Sequence, residues 1–410
     1  MSRSVLVLAG GRIVLGLVWN AGLLSFAQVP STGDAAGRSE TGLHAVLESV
    51  EDALRRARQA PEVGAWDAVE EEFNSGKVLW EDTLTFERSA DGVAVLDVRT
   101  PHGDVQIVGD GGDSIRVSAR RRVRSTDESE GAEYRDGFRP VVRVDGSTLV
   151  VDVLRPQGND ERRPKHIKEA SVDFTITVPE RLATGGGHGP ALHVRSGHGD
   201  VAVKNAHADT ISLRTGHGDV ALSDVTGDVD LHSGHGHLAI RDSELTFLNA
   251  HTGHGDVVGS DVRGSAAIKT DHGDVRLERV DGGVDVHTGH GDISLEDCVG
   301  AAALTTGRGN LSVSGGSLDS LIAKTGHGDI SATLDGSAGS IDLRTGNGDL
   351  SLRAADVREV STDTGRGDID IHVAGSVADR LALDSGHGGI SAKVENAARL
   401  TCEPDEATCV

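Results

Sequence analysis

Aromatic side chains are scarce in this sequence of 410 residues, which has six Phe, three Trp and one Tyr. A globular core of this length normally depends on aromatic and leucine side chains. The apolar residues here are mostly Val, Ile, Leu and Ala, and the β-branched types among them favour strands. We therefore expect narrow layers of β-structure rather than two or three globular domains.

Positive charge is also in short supply, because 40 Lys and Arg stand against 64 Asp and Glu and the formal net charge is −24. Phosphate-rich partners require clustered Lys and Arg, so we expect no binding to nucleic acid or to an anionic membrane surface. No Ser-His-Asp trio, phosphate-binding loop or paired-acid cleft can be located in the sequence. We therefore expect a protein that is not an enzyme and that needs no cofactor.

Long hydrophobic runs are restricted to the N-terminus. Arg3 and Arg12 supply positive charge, residues 13–24 are largely apolar, and Ala27 is the kind of small residue that cleavage sites require. We predict a signal peptide over residues 1–27 and an exported protein in the periplasm, at the cell surface or in the medium. An uncleaved anchor is the alternative. No second apolar stretch follows, so we expect no integral membrane domain after cleavage.

Cysteine is rare, and its three positions suit an exported chain. Cys402 and Cys409 are separated by six residues near the end of the chain, where a disulfide can tie down the tail at 401–410. Two free thiols are the alternative. Cys298 occupies the position that Val225 fills four repeats earlier, so we expect it to be a buried apolar residue.

The chain divides into a short leading part and a long strand-rich part. Residues 28–82 are predicted to be a linker with a short amphipathic helix at 43–60, which has apolar residues at helical spacing and ends before Pro61. Strand patterns dominate residues 83–400. Within them, residues 120–168 are irregular and densely charged, with strand-like stretches at 141–144 and 148–154, and are predicted to be a long excursion or an edge hairpin.

The most informative feature is a repeat over residues 196–394, in a chain with 55 glycines. Eleven tetrapeptides of the type G-x-G-D recur every 18 to 21 residues, and each follows a Thr or Ser. They begin at Gly197, Gly216, Gly234, Gly253, Asp271, Gly289, Gly307, Gly326, Gly346, Gly365 and Gly386. Such regular spacing excludes a pair of unrelated globular domains.

Alternating residues flank most of these turns. Apolar side chains occupy the first and third positions after the turn, as at Val220 and Leu222, and also precede it, as at Ile211 and Leu213. A period of two indicates a strand with one buried face. One repeat cannot bury that face alone, so the repeats must stack in parallel at ~4.8 Å per coil. We predict an all-β, single-stranded parallel β-helix.

The T-G-x-G-D-[VI]-x-[LV] repeats, together with His102–Val105 in an alternating stretch, resemble the bacterial putative-adhesin family. These β-strand-repeat proteins are of largely unknown function and are related to head domains of autotransporter adhesins. The resemblance covers residues 93–394 and implies a right-handed β-helix, an envelope or extracellular location and no established activity. The frequent His at position x differs from the Asn that is common in the family.

Two columns of side chains follow from the stacking. His fills position x in eight of the eleven turns and Asp fills the fourth position in eight, so each type should form a file along the stack. His-rich tracts bind transition metals, and carboxylate files bind calcium. The alternatives are solvent-facing turn histidines and Asp side chains that accept turn amides. The candidate metal ligands are His217, His254, His290, Asp219, Asp256 and Asp292.

The function that these features favour is a non-enzymatic exported solenoid, an adhesin-like scaffold or binding protein of the envelope. Its ligand is an unknown envelope or extracellular molecule, either a glycan or a protein. The first alternative is a carbohydrate-active β-helix enzyme that uses residues 120–168. That enzyme requires a cleft with two or more carboxylates. The second alternative is a metal-binding His/Asp solenoid.

Overall fold

The computed structural model describes residues 7–9, 12–14, 78–156, 164–182, 189–397, 400–404 and 407–409. The chain forms two compact units, Met1–Glu62 and Val63–Val410. In the first unit, β1 (Val7–Ala9) and β2 (Arg12–Val14) form an antiparallel pair. The helix expected at 43–60 lies outside the described residues, and the signal peptide stays a prediction.

The second unit is a parallel β-solenoid, which confirms the predicted fold class; its handedness stays a prediction. The stack begins with β4 (Val95–Thr100) and β5 (Val105–Asp110). It continues through β10 (Ala191–His198), β11 (Val201–His217), β12 (Val220–His235), β13 (Leu238–His254), β14 (Val257–His272), β15 (Val275–Asp281), β16 (Val284–His290), β17 (Ile293–Glu296), β18 (Val299–Arg308), β19 (Leu311–Ser314), β20 (Ser317–His327), β21 (Ile330–Leu334), β22 (Ala338–Asn347), β23 (Leu350–Ala354), β24 (Val357–Thr364), β25 (Ile369–Ser385), β26 (Ile390–Ala397), β27 (Leu400–Pro404) and β28 (Ala407–Cys409).

Each coil contains a strand before the G-x-G-D turn (the pre-turn strand) and a strand after it (the post-turn strand). The predicted alternation holds in both, since Ile211, Leu213 and Val220 are fully buried and Leu222 nearly so. Aliphatic residues from successive coils form one continuous apolar core along the stack. The hydrophobic effect therefore acts between coils, which explains why a single repeat has no independent core.

A second corner follows the post-turn strand. Six coils place a non-glycine residue there in the left-handed region, with φ between 49° and 55°. These residues are Asn205, Asp224, Asp242, Asp261, Arg279 and Asp297. Asn and Asp tolerate this conformation best, which accounts for five of the six. The register shifts between coils all fall in the segment after the post-turn strand, and variations in coil length are absorbed there.

The residues around the predicted excursion form a cap on the first coil. The cap consists of β3 (Val78–Ser89), β6 (Ser114–Ser125), α1 (Glu128–Gly137), β7 (Arg139–Asp145), β8 (Thr148–Leu154) and β9 (Ile167–Pro179). Strand β8 pairs with β4 and β9 pairs with β5, both in parallel. Strands β6, β3 and β7 then add antiparallel partners, and they end the parallel stack.

The excursion is more regular than its sequence indicates. The hairpin β7–β8 was predicted, whereas α1 was not, because its one buried residue is Gly131 and it has no apolar stripe. Its start is set by Asp127, whose side chain accepts the Glu130 amide at 2.8 Å. At its other end the Arg121 guanidinium donates to the carbonyls of Arg135 and Phe138. Local capping rather than periodicity therefore defines this helix.

Candidate functional site

The G-x-G-D corner collects the residues that sequence analysis singled out. Both glycines are needed for contact between coils. A Cβ on Gly216 would lie 2.6 Å from the carbonyl oxygen of Gly197. A Cβ on Gly218 would overlap the carbonyl oxygen of Gly199, and the φ of Gly218 is 150°. No L side chain fits either position without moving a neighbouring coil.

A buried hydroxyl ladder runs beside these glycines. The Thr or Ser before each turn donates its hydroxyl to the carbonyl of the second turn glycine in the preceding coil, at 2.8 to 3.3 Å. The ladder comprises Ser196, Thr215, Ser233, Thr252, Thr270, Thr288, Thr306, Thr325, Thr345, Thr364 and Ser385. That glycine carbonyl also faces the turn glycine of the next coil. The Thr and the two glycines therefore act together, a role that sequence analysis did not assign.

The Asp file is a hydrogen-bond ladder. Asp200 accepts the backbone amide of Asp219 at 2.8 Å, and Asp219 accepts the amide of His237 at 2.8 Å. The same contact continues to Gly389, with His237 and Asn310 as the two non-Asp acceptors. The expectation that Asp accepts turn amides is thus confirmed, with the difference that the donor belongs to the next coil.

Burial changes the acidity of the first members of the Asp ladder. Desolvation raises the pKa of Asp200 to about 7, and the carboxylates of Asp219 and Asp104 on either side act in the same direction. The amide of Asp219 opposes them by stabilising the charged form. Desolvation also raises the pKa of Asp104. At the start of the Asp ladder, burial therefore favours the protonated carboxyl more than it does in a free aspartate.

The His file is a stack of imidazole rings on the exposed side of the corner. Seven rings stack with centroids 4.6 to 4.9 Å apart, namely His102, His198, His217, His235, His254, His272 and His290. Arg308 then replaces His and lies 3.3 Å from the His290 ring nitrogen. The file exists as predicted, and its rings lie face to face.

This geometry does not support the metal site suggested by the sequence. An imidazole binds a metal in the plane of its ring at 2.0–2.1 Å, and stacked rings lie in separate, roughly parallel planes. One ion cannot lie in two such planes. The carboxylates of Asp219, Asp256 and Asp292 already accept amides of the next coil. Over the described part of the chain, no three His, Cys, Asp or Glu side chains are grouped to hold a metal.

The structure tests one of the two cysteine predictions. Cys298 is 4% exposed, which confirms that it is a buried apolar residue, and desolvation raises the pKa of its thiol. Cys402 lies in β27, in register with Leu383, and Cys409 lies in β28, in register with Ala392. Their side chains lie outside the description, so the disulfide stays a prediction.

Arginines pair with several of the carboxylates in the cap. On its outer face Arg116 pairs with Glu87, Arg120 with Glu81, Arg122 with Asp173 and Arg124 with Glu169. A cavity of about 280 Å³ lies where β4, β8 and β10 end, and its charged lining is Arg99, Arg155, Arg195 and Asp152. The cavity thus has three cations and one acid, which is not the arrangement that glycoside hydrolysis requires.

A search for related proteins agrees with this architecture. The profile of the family described as Toastrack DUF4097 matches residues 165–296 and 279–403, which together are more than half of the chain. The chain belongs to the Toastrack DUF4097 family. The two matched segments of this Toastrack chain contain the eleven turns, the Thr/Ser ladder and the Asp ladder from Asp200 onward. A search of curated proteins gives no match.

Three similar solved structures extend the comparison. A putative cell adhesion protein from Clostridium sporogenes is 9% identical, with 62% of this chain and 100% of that one covered and a TM-score of 0.20. A putative adhesin from Bacteroides fragilis is 14% identical, with 78% and 97% covered and a TM-score of 0.23. A putative lipid binding protein from Parabacteroides distasonis is 12% identical, with 77% and 96% covered and a TM-score of 0.24.

The described helical structure includes no segment of the length and apolarity that a membrane crossing requires.

Proposed function

We propose that this Toastrack protein is a non-enzymatic, adhesin-like binding scaffold that acts outside the cytoplasm. The observation that carries the proposal is that the polar side chains of the turns hold neighbouring coils together. The Asp, Thr and Ser side chains of the turns form hydrogen bonds between coils, from Ser196 to Ser385 and from Asp200 to Asp368. The outer surface of each coil takes no part in these bonds, and this surface repeats along the stack.

The cap also supports a non-enzymatic role. Several of its carboxylates are matched by arginines across neighbouring strands, for example Asp173 by Arg122 at 2.7 Å. A charge that is neutralised and held in a sheet serves stability, whereas general acid or base catalysis requires a free group facing substrate. A periplasmic, surface or secreted location is part of the proposal, and it is supported by the signal-like residues 1–27.

The test separates binding from turnover. The purified full chain is fluorescently labelled and mixed with bacterial envelope preparations and with a panel of glycans, and heat-unfolded chain serves as the control. Retained protein and newly released reducing ends are measured in the same samples. We expect the folded chain to be retained without release of reducing ends.

Two outcomes would contradict the proposal. Retention no greater than that of the unfolded control would remove the binding role. Release of reducing ends that disappears in the Asp152→Asn variant would favour a carbohydrate-active enzyme, because Asp152 is the carboxylate that lines the cavity beside the first coil.

A further inference from the structure

One outward-facing column of the solenoid carries basic residues almost exclusively. The column is the position just before the Thr/Ser ladder, and coil register aligns its members directly above one another. We call it the basic stripe. From the cap onward its members are Arg99, Arg195, Arg214, His232, His251, Lys269, His287, Thr305, Lys324 and Arg344, with Thr305 the exception.

The basic stripe contrasts with the charge of the whole chain. The protein has a formal net charge of −24, yet the column contains no acidic residue before Asp363. Asp363, Asp384 and Glu403 then continue it with the opposite sign. Unit charges ~4.8 Å apart repel one another, and like charges that face one another across strands are destabilising. A file of like charge is therefore an unfavourable arrangement in the absence of a counter-charge.

Part of the counter-charge comes from the protein itself. Arg99 and Arg195 both pair with Asp97, Arg214 pairs with Asp230 at 2.9 Å, and Arg344 pairs with Asp342 at 2.9 Å. These ion pairs lie at the two ends of the basic stripe. The ends are thus at least half neutralised.

The middle of the basic stripe has no such compensation. Lys269 and Lys324 are exposed, and neither forms an ion pair with a described residue, nor do His232, His251 and His287. The basic neighbours of His251 affect its pKa. Burial and then the neighbouring His232 lower its pKa, Lys269 acts in the same direction, and Asp271 opposes them. In the middle of the basic stripe, Lys269 and Lys324 therefore carry positive charge that no described ion pair neutralises.

The cavity beside the cap extends the positive surface. Arg99 and Arg195 form one side of it, and Arg155 from the end of β8 adds a third guanidinium. Its volume of about 280 Å³ is at the lower limit of small-ligand sites. Guanidinium groups bind carboxylate and sulfate through paired hydrogen bonds. An acidic group can thus be held at the point where the basic stripe begins.

We propose that the basic stripe binds a linear anionic polysaccharide, whose carboxylate or sulfate groups run along the stack from coil to coil. Its length fits a polymer, because nine coil intervals of ~4.8 Å give ~43 Å, whereas a compact ligand would reach two or three coils. No Phe, Tyr or Trp lies in the column to stack a nucleobase. The assignment rests on the proposed binding function and specifies its ligand class.

The test measures binding of the full chain to polygalacturonate and to dextran sulfate, with neutral dextran, single-stranded DNA and phosphatidylglycerol vesicles as comparison arms. We expect both anionic polysaccharides to bind, neutral dextran not to bind, and affinity to fall as salt is raised. The variant Lys269→Ser/Lys324→Ser removes the two uncompensated lysines and should bind about tenfold more weakly.

The control is Arg353→Ser/Lys393→Ser, which makes the same change in net charge at exposed positions of the post-turn strands. It should bind within about twofold of the parent. Equal losses in the two variants would refute the basic stripe as the site, and so would preference for DNA or vesicles. Retention on envelopes without binding to either polysaccharide would refute this inference alone. Failure in both assays would refute the proposed function as well.

Discussion

Two threonines two residues apart in β24 are expected to respond oppositely to the same substitution. Thr364 is fully buried and donates to the carbonyl of Gly348 at 3.0 Å, as a member of the Thr/Ser ladder. Thr362 is 2% exposed and points into the core, where its hydroxyl has no hydrogen-bond partner among the described residues. Valine has nearly the same shape as threonine and lacks the hydroxyl. The two changes therefore differ mainly in the bond that is lost.

The magnitudes follow from these environments. In Thr364→Val the carbonyl of Gly348 keeps its place against Gly367 and loses its donor, which should cost about 1–3 kcal/mol. In Thr362→Val a buried polar atom without a partner is removed, which should stabilise the fold by about 1 kcal/mol. Thr364→Val is thus expected to lower stability and Thr362→Val to raise it.

The assay is urea unfolding followed by circular dichroism, with hydrogen exchange of peptides from β22 to β25 as the local readout. At an m value of about 3 kcal/mol/M, a loss of about 2 kcal/mol lowers the midpoint by about 0.7 M. Local exchange is included because repeat arrays need not unfold as one unit. Equal midpoints for both variants, or faster exchange in Thr362→Val than in Thr364→Val, would refute the role assigned to the Thr/Ser ladder.

Three further outcomes are expected. Gly218→Ala should destabilise the fold by about 2–4 kcal/mol because a Cβ meets the preceding coil at positive φ, whereas Gly111→Ala, with open space around it, should be neutral in the same urea assay. Burial raises the pKa of Asp200 to about 7, so the stability from its proton is full below about pH 4 and is lost as the pH rises through 7. In thermal melts across that range, Asp200→Asn should match the parent at pH 4 and exceed it by about 1–2 kcal/mol at pH 8. Changing His217, His254 and His290 together to Asn should leave the melting temperature unchanged with and without Zn²⁺; a Zn²⁺-induced rise confined to the parent would show that the rings bind metal.

The solenoid could be predicted because its determinants are local and repeated. Apolar alternation around Val220 and the glycines of each turn are visible in a single repeat, and the 18–21 residue spacing fixes how repeats align. The burial of Cys298 was predicted from the same alignment and is confirmed. Because the same apolar and glycine pattern recurs in every repeat, the evidence for the fold accumulates along the chain.

Features that depend on contact between segments were harder to predict. Helix α1 has a buried glycine where an amphipathic helix would have an apolar stripe, and its ends are fixed by Asp127 and Arg121. The Asp ladder was interpreted within its own turn, although its amide donors come from the following coil. The basic stripe was missed because its members are 18 to 20 residues apart within the repeat region and composition reports only their sum.

The position of the register shifts has a consequence for how such a chain can change in length. Bonds between coils recur at the same position of every turn, from the amide at Asp219 to the amide at Gly389, so a deletion of one or two residues there would misalign both ladders. Loss or duplication of a complete coil would preserve the register of both ladders. Smaller insertions are accommodated only in the segment after the post-turn strand, where the shifts already occur. Evolution can therefore lengthen this protein in whole-coil steps and vary its surface at one edge.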